Sequence, residues 1–362
     1  MTKTLKDLQK QIIETAKNIE IEWLRHDNSS DIFHEVVWEQ TRQLDLSSLG
    51  RIENQLKFME LDSVRNIQLQ TTFSDCHFKV FDNNKFFIEV LNWRGGQVNI
   101  HDHDFSGVQF QLKGSSLNIK YDFDVTAQFG GIRTGKLAVR KAEIWEEGSR
   151  SVVRHGNIDP HTVLHLSRPT TSLLIRTHPT ARYGAQTNYF PTLATHYHVH
   201  DLVQRKKTTA LNLLATSCRK TFASEFYRVT RDQSFAQNFA MVIKLARVLF
   251  SHEHSEVLKN FAEQSMKNRS IVENVACYHS LDFYKHAIYY CRELSDVEKA
   301  ILFAGLHISN IEDESRLTAD LVHLNIIEEW PRIFSKLLSS LPGSKQTDAI
   351  AKLRLFHIGK VI

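Results

Sequence analysis

Two histidines one residue apart, His101 and His103, stand in the stretch Trp93-Arg-Gly-Gly-Gln-Val-Asn-Ile-His-Asp-His-Asp-Phe-Ser-Gly. On a β-strand, side chains at i and i+2 leave on the same face. Two neutral imidazoles can therefore hold one cation from a single wall of a barrel. The third ligand must come from another strand of that wall. His161 opens such a strand in Asp159-Pro-His-Thr-Val-Leu-His, and His165 competes for the place from the same strand face. Three imidazoles leave a cation's charge unquenched and half an octahedron open. Imidazole suits iron, zinc, copper or nickel, so the ligands alone do not choose the metal.

Other residues could bear chemistry. Arg176 and Arg94 can each hold a carboxylate through a bidentate fork. Arg176 is preferred, because it lies on the strand that follows the third histidine. Thr195-His-Tyr-His-Val-His places His196, His198 and His200 on one strand face, the main rival metal site, and it reads as the exit from the barrel. Asp75-Cys76-His77 resembles a nucleophile pair on paper, but adjacent strand residues point to opposite faces. Asp102 and Asp104, facing away from the two histidines, are expected in solvent. Tyr183 and Tyr189 are expected to pack.

The elements that must position these groups follow from periodicity. Leu5, Leu8, Ile12, Ile13, Ala16, Ile19 and Trp23 recur at helical steps and predict one amphipathic helix. From about residue 65 the period becomes two, in short runs rich in β-branched and aromatic residues. These begin at Ile67, His77, Lys85, Val108, Ser116, Leu137, Thr162 and Ser172, with Asp82-Asn-Asn as a turn and glycines at Gly95, Gly96, Gly114, Gly130, Gly131 and Gly148. Many short strands with turn signals predict a double-sheet jelly roll. After about residue 205 helical patterns dominate, such as Phe235 to Phe250 and Val297 to Ile308, the latter opened by the capping box Ser295-Asp-Val-Glu. The expected division is a helical extension over 1–64, a β-barrel over 65–200 and an all-α domain over 201–362, α+β overall.

Composition narrows the function. The 362 residues carry a net charge of only +4, too balanced to imply a nucleic-acid partner. The four cysteines, Cys76, Cys218, Cys277 and Cys291, are widely spaced, which argues against a zinc ribbon or a disulfide framework. No apolar run suits a membrane span or a leader's hydrophobic core, so a soluble, cytoplasmic protein is expected. The 22 phenylalanines should be mostly core.

Residues 93–121 resemble the first motif of the cupin superfamily, and within it the three-histidine thiol dioxygenases, of which cysteine dioxygenase is best known. Trp93, Gly96, His101, His103, Ser106, Gly114 and Tyr121 carry that resemblance, and His161 matches the third histidine of the second motif. The resemblance covers roughly residues 80–190. It implies a cupin jelly roll, Fe(II) held by His101, His103 and His161, and dioxygen as co-substrate. Zinc, nickel or copper are the other metals that such a ligand set admits.

The pattern also departs from that family. Gln109 stands near where most cupins carry a glutamate, and Val108 where some dioxygenases carry a crosslinked cysteine. Of the serine-histidine-tyrosine relay only Ser172 is retained, with Leu174 and Arg176 in the other places. The reading is therefore a mononuclear non-haem iron oxygenase acting on a small polar substrate, with Arg176, Ser172 and Arg94 as candidate catalytic residues. A homodimer is one candidate assembly: the N-terminal helix is expected to pack against the barrel or a second subunit, and the helical domain to cap the pocket, mediate dimerisation or recognise a carrier-bound substrate. The alternatives are a cupin sensor that signals through the helical domain and, last, a metal-dependent isomerase or hydrolase.

Overall fold

A computed structural model of the chain describes residues 5–68, 74–94, 99–129, 131–180, 184–190, 192–196 and 202–341. The amphipathic stretch at the start forms α1 (Leu5–Leu24), followed by α2 (Phe33–Gln40), α3 (Ile52–Met59) and α4 (Asp62–Arg65). The stripe of Leu8, Ile12, Ala16, Ile19 and Trp23 is buried, while Ile13 at its margin is 37% exposed.

The strands follow as β1 (Cys76–Asp82), β2 (Phe86–Trp93), β3 (Ile100–His103), β4 (Gly107–Lys113), β5 (Ser116–Phe129) and β6 (Ile132–Trp145). Then come β7 (Arg150–Val153), β8 (Gly156–His165), β9 (Thr170–Thr177), β10 (Thr187–Phe190) and β11 (Leu193–His196). One sheet runs β1-β2-β9-β4-β7 and the other β10-β11-β6-β5-β8-β3. The antiparallel partners are mostly distant in sequence: β2 and β4 flank β9, and β3 and β5 flank β8. This crossing of strands between two sheets is the jelly-roll pattern. With the helices that follow, the architecture is a β-barrel and a helical C-terminal region, α+β overall.

Local chemistry explains the turns. Asn84 adopts the left-handed conformation between β1 and β2 (φ 63°). The Asn83 side-chain oxygen accepts from the backbone N–H groups of Lys85 and Phe86. Gly114, between β4 and β5, has φ 73°, a conformation that suits glycine. Of the strand expected from Ile67, residues 69–73 lie outside the described residues, and Ile67 and Gln68 are not in a strand.

Period-two alternation assigns the two faces of the first sheet. Phe86, Ile88 and Val90 of β2 join Phe78, Val108, Phe110, Leu173 and Ile175 in one core with α1, α2 and α3. Phe87, Glu89, Leu91 and Trp93 take the opposite face. All of β2 is buried, so it is covered on both sides.

The helical region comprises α5 (Leu202–Ser217), α6 (Arg219–Arg231), α7 (Phe235–Lys244), α8 (Ala246–Leu249), α9 (Ser255–Glu263) and α10 (Met266–Tyr290). It ends with α11 (Asp296–Leu306), α12 (Ile311–Asp320) and α13 (Ile326–Ser340). The capping box expected at Ser295 and Glu298 is present, and Ser234 with Gln237 forms another at the start of α7. No helix among the described residues is long and apolar enough to cross a membrane.

The chain divides into two compact units. One holds Met1–Asp122, Val139–Gln186 and Ile288–Ile333; the other holds Phe123–Ala138, Thr187–Ala287 and Phe334–Ile362. In the first, α12 carboxylates satisfy strand N–H groups of β6: Asp313 accepts from Val139 and Asp320 from Ala142, each at 2.8 Å. Lys299 of α11 donates to the Leu166 carbonyl (3.2 Å), and His307 Nδ1 lies 2.6 Å from the Tyr121 hydroxyl. The second unit has its own core, built on Phe190, Phe222, Phe226, Phe239 and Phe261.

Candidate metal centre

His101 and His103 come from β3 and His161 from β8, with His101 directly opposite His161 in the register. The pairing shifts register between His101 and His103, a break in the ladder of the kind that re-aims a side chain. All three rings are buried, and one ligand atom from each lies within 4.8 Å of the others.

Hydrogen bonds decide the tautomers of two of these rings. His101 Nδ1 donates to the Asn99 carbonyl at 2.8 Å, which leaves the Nε2 lone pair available. His161 Nδ1 lies 2.9 Å from Asn118 Oδ1, and the Asn118 amide nitrogen donates to the Glu143 carboxylate at 3.3 Å. A carboxylate only accepts, so Asn118 must turn its oxygen to His161. His161 Nδ1 therefore carries the proton, and its Nε2 is also a lone pair. This is how outer groups prepare a histidine for a cation.

The donor set fits a divalent cation. His103 Nε2 and His161 Nε2 are 3.0 Å apart. That spacing suits two imidazole nitrogens at right angles around an ion with bonds of about 2.1 Å. Burial, with the neighbouring imidazoles, holds His103 and His161 well below the usual histidine range, so both imidazoles are neutral at physiological pH.

The cluster opens into a cavity of about 280 Å³. Its apolar wall includes Leu91, Trp93, Phe105, Val153 and Leu174, which form a small core of their own. His165 stacks on Trp93 with ring centroids 4.7 Å apart, and its Nδ1 pairs with the Ser116 hydroxyl at 3.0 Å. Burial pushes His165 down to about 3. His165 thus shares the cavity but stands outside the three-histidine cluster.

Charge sits elsewhere on the wall. Arg176 Nε donates to Glu89 at 2.7 Å, and the other Glu89 oxygen pairs with His77. Burial pushes the Glu89 carboxyl up, but His77 and Arg176 outweigh it and hold it below the usual range. The Arg176 guanidinium lies against the rings of Phe87 (4.4 Å) and Phe105 (4.1 Å). Phe105 in turn packs on His103 at 4.5 Å, so it stands between the imidazole cluster and the guanidinium.

The other residues singled out from sequence take varied places. Ser172 lines the cavity and accepts from the Trp93 indole N–H at 3.2 Å. Arg94 is exposed, its backbone N–H donates to the Asp75 carboxylate, and it is not among the cavity-lining residues. Gln109 lines the cavity, whereas Val108 points into the core beneath the helices. Ser106 is buried against His34 of α2, 3.1 Å away.

Asp102 and Asp104 correct the sequence expectation. Asp102 is buried, and Asp104 lines the cavity, where burial raises its carboxyl. All of the short β3 is buried, so neither of its faces is left to solvent, and Asp104, just past its end, lines the cavity. Tyr189 is fully buried against Phe123, as packing predicts. Tyr183, His198 and His200 and the side chain of His196 lie outside the described residues.

Glu89, Phe105 and Asn118 escaped the sequence reading. For Glu89 a signal existed: one carboxylate inside the otherwise apolar run Phe86-Phe-Ile-Glu-Val-Leu. A buried strand keeps such a charge only with partners. Nothing local marks Asn118, because its role depends on the strand it faces.

No protein-family profile and no curated protein matches the chain. Among solved structures it is similar to the DMSP lyase DddQ of Ruegeria pomeroyi at 15% identity, covering 35% of this chain and 58% of the lyase, with a TM-score of 0.24. It is also similar to the hydroquinone 1,2-dioxygenase of a Sphingomonas species (10% identity; 30% of this chain, 70% of the other; TM-score 0.23). A third likeness is to KdgF of a Halomonas species (9% identity; 33% and 94%; TM-score 0.21).

Proposed function

We propose that the chain is a mononuclear non-haem iron oxygenase that acts, with dioxygen, on a small polar substrate bearing a thiol or a carboxylate. The observation that carries this reading is the convergence of three buried imidazoles, two of which have Nε2 prepared as a lone pair by their own hydrogen bonds. His101, His103 and His161 would hold the metal. Fe(II), the ion implied by the thiol-dioxygenase resemblance, supplies when bound the redox chemistry that dioxygen needs. A neutral three-imidazole set also accepts zinc, nickel or copper.

The chain's own residues do the rest. Arg176 binds the anionic group of the substrate and orients it along Phe105 toward the histidines. Leu91, Trp93, Val153 and Leu174 exclude water from the substrate's body. Ser172, fixed by the Trp93 indole, offers a hydroxyl to the substrate's polar end. Arg94 is left to the rim.

One contact favours a second reading, a metal-dependent sensor. Tyr121 follows Asn118 on β5, and its hydroxyl meets His307 at the end of α11. A change at His161 could reach the helices by that route.

The deciding experiment is metal analysis of anaerobically purified protein, wild type beside His101→Ala/His103→Ala, followed by oxygen uptake with cysteine and small acids. Near-stoichiometric iron that disappears in the double variant, with uptake on one of the acids or thiols, supports the oxygenase. Iron that survives the substitutions removes its basis. Metal lost without any uptake in the wild type leaves the sensor.

A further inference from the structure

We infer that Glu89, braced by His77, is the positioning residue that fixes Arg176 edge-on to the cavity, so that the site selects a planar carboxylate. This rests on reading Arg176 as the anion-binding group. Three observations carry it. Glu89 is 2% exposed and engages Arg176 through Nε, the one nitrogen on the inner side of the guanidinium. His77 occupies the second carboxylate oxygen, so Glu89 has no freedom to follow the arginine elsewhere. The two terminal nitrogens of Arg176 make no hydrogen bond to the described residues, and the side chain, 18% exposed, lines the cavity.

The asymmetry separates this arrangement from an ordinary buried ion pair. A pair that served packing alone would turn the forked edge of arginine to the carboxylate, the stronger geometry. Here Nε makes the bond, and the parallel donors of the terminal edge remain for a ligand. The rings of Phe87 and Phe105 hold the plane of the group. Gly107 lies opposite Arg176 in the register, and a Cβ there would meet the Ile175 carbonyl oxygen at 2.2 Å and Arg176 Cα at 3.0 Å. Only a glycine lets β4 pass so close behind the arginine.

The chemical consequence is specificity. Glu89 offsets the charge of Arg176, whose field also reaches the Asp104 carboxyl on the same wall, so selectivity rests on the two aimed donors rather than on surplus charge. Aimed donors favour a planar anion with two oxygens in one edge. The ordering of the arginine is complete before the ligand arrives, which raises affinity without new contacts.

The test uses the full-length, zinc-loaded protein and two readouts. Nitrogen NMR follows hydrogen exchange at arginine Nε–H, and titration with sodium benzoate reads carboxylate binding. We expect one slowly exchanging Nε–H that is absent in Arg176→Lys. In Glu89→Gln it exchanges about tenfold faster and benzoate binds about tenfold more weakly, at unchanged zinc content. Glu89→Asp recovers part of both effects. Unchanged exchange and affinity in Glu89→Gln overturn the inference, as does weaker binding that tracks loss of zinc. Should Glu89→Gln fail to fold, His77→Gln removes the brace alone, and wild-type exchange there overturns it equally. A wild type that binds no benzoate refutes the anion-binding reading of Arg176, while the exchange comparison still decides what Glu89 does.

Discussion

The two faces of the sheet β1-β2-β9-β4-β7 put one strand geometry to opposite uses. Toward the helices, Phe86, Ile88, Val90, Leu173 and Ile175 interlock with α1 to α3 in a core of aliphatic and aromatic side chains. Toward the cavity, the alternate positions of the same strands carry Glu89, Trp93, Ser172 and Arg176. The first face needs volume and apolarity, which many sequences provide. The second needs named partners, because each buried polar group must be matched by another. Arg176 is matched by Glu89, Glu89 by His77, and the Trp93 indole by Ser172. Stability should therefore follow the outer face, and ligand chemistry the inner one.

The largest expected effect breaks the outer face alone. Phe86→Ala deletes a fully buried ring that packs on Phe33 at 5.4 Å. It should destabilise the fold by about 3–5 kcal/mol in denaturant unfolding. Any protein that remains folded should keep its metal affinity. Parallel loss of both would show that the faces are not separable.

A smaller effect isolates the inner face. Asn118→Ala removes the acceptor that orients His161, and Glu143 loses its amide donor. Metal affinity should fall about 10- to 100-fold, as for other outer-shell partners of metal-bound histidine. A competition titration with a chromophoric chelator measures it. Equal affinity in variant and wild type would mean that burial alone orients His161.

The smallest effect, the share of a single buried imidazole per pH unit, is graded by acid. His103, His161 and His165 are held neutral by burial, His165 down to about 3. Their folded values lie below the unfolded value, so the unfolded chain takes up protons first on acidification. Their contribution is whole above about pH 6.5 and is lost as pH falls from there toward the folded values. Each such group removes up to about 1.4 kcal/mol per pH unit. Metal-free protein should show this slope in urea titrations below pH 6.5, and His165→Gln should lack one group's share. The core cluster of the outer face is apolar, with one buried imidazole beside it, His34 of α2, which burial also holds low. Ile88→Val leaves His34 in place and should shift the curve without changing its slope.

Much of this division could be read from the chain. Short runs rich in β-branched and aromatic residues placed β1, β2, β4, β5, β8 and β9, because such side chains favour a pleated strand whether one or both of its faces are covered. The α1 stripe and the Ser295 capping box were equally local. Buried strands were harder. In β2 and β3 both faces are covered, so alternation of polar and apolar residues no longer tells inside from outside. That is why Asp102 was expected in solvent, and Asp104, in the bend after β3, was placed there with it. The short strands β7, β10 and β11 are too brief to establish a period of their own.

From the sequence alone came the paired histidines on one strand face, the jelly-roll class and the helical region after it. Each depends on residues within a few positions of one another, where backbone geometry is decisive. Only the tertiary structure decided that His161 stands opposite His101 while His165 stacks on Trp93. It alone brought Asn118 behind His161, Glu89 and His77 around Arg176, and the carboxylates of α12 onto β6. Strand alternation says which residues share a face, but the register between strands distant in sequence says which residues meet. That register is set by the packing of the whole sheet, which no local pattern contains.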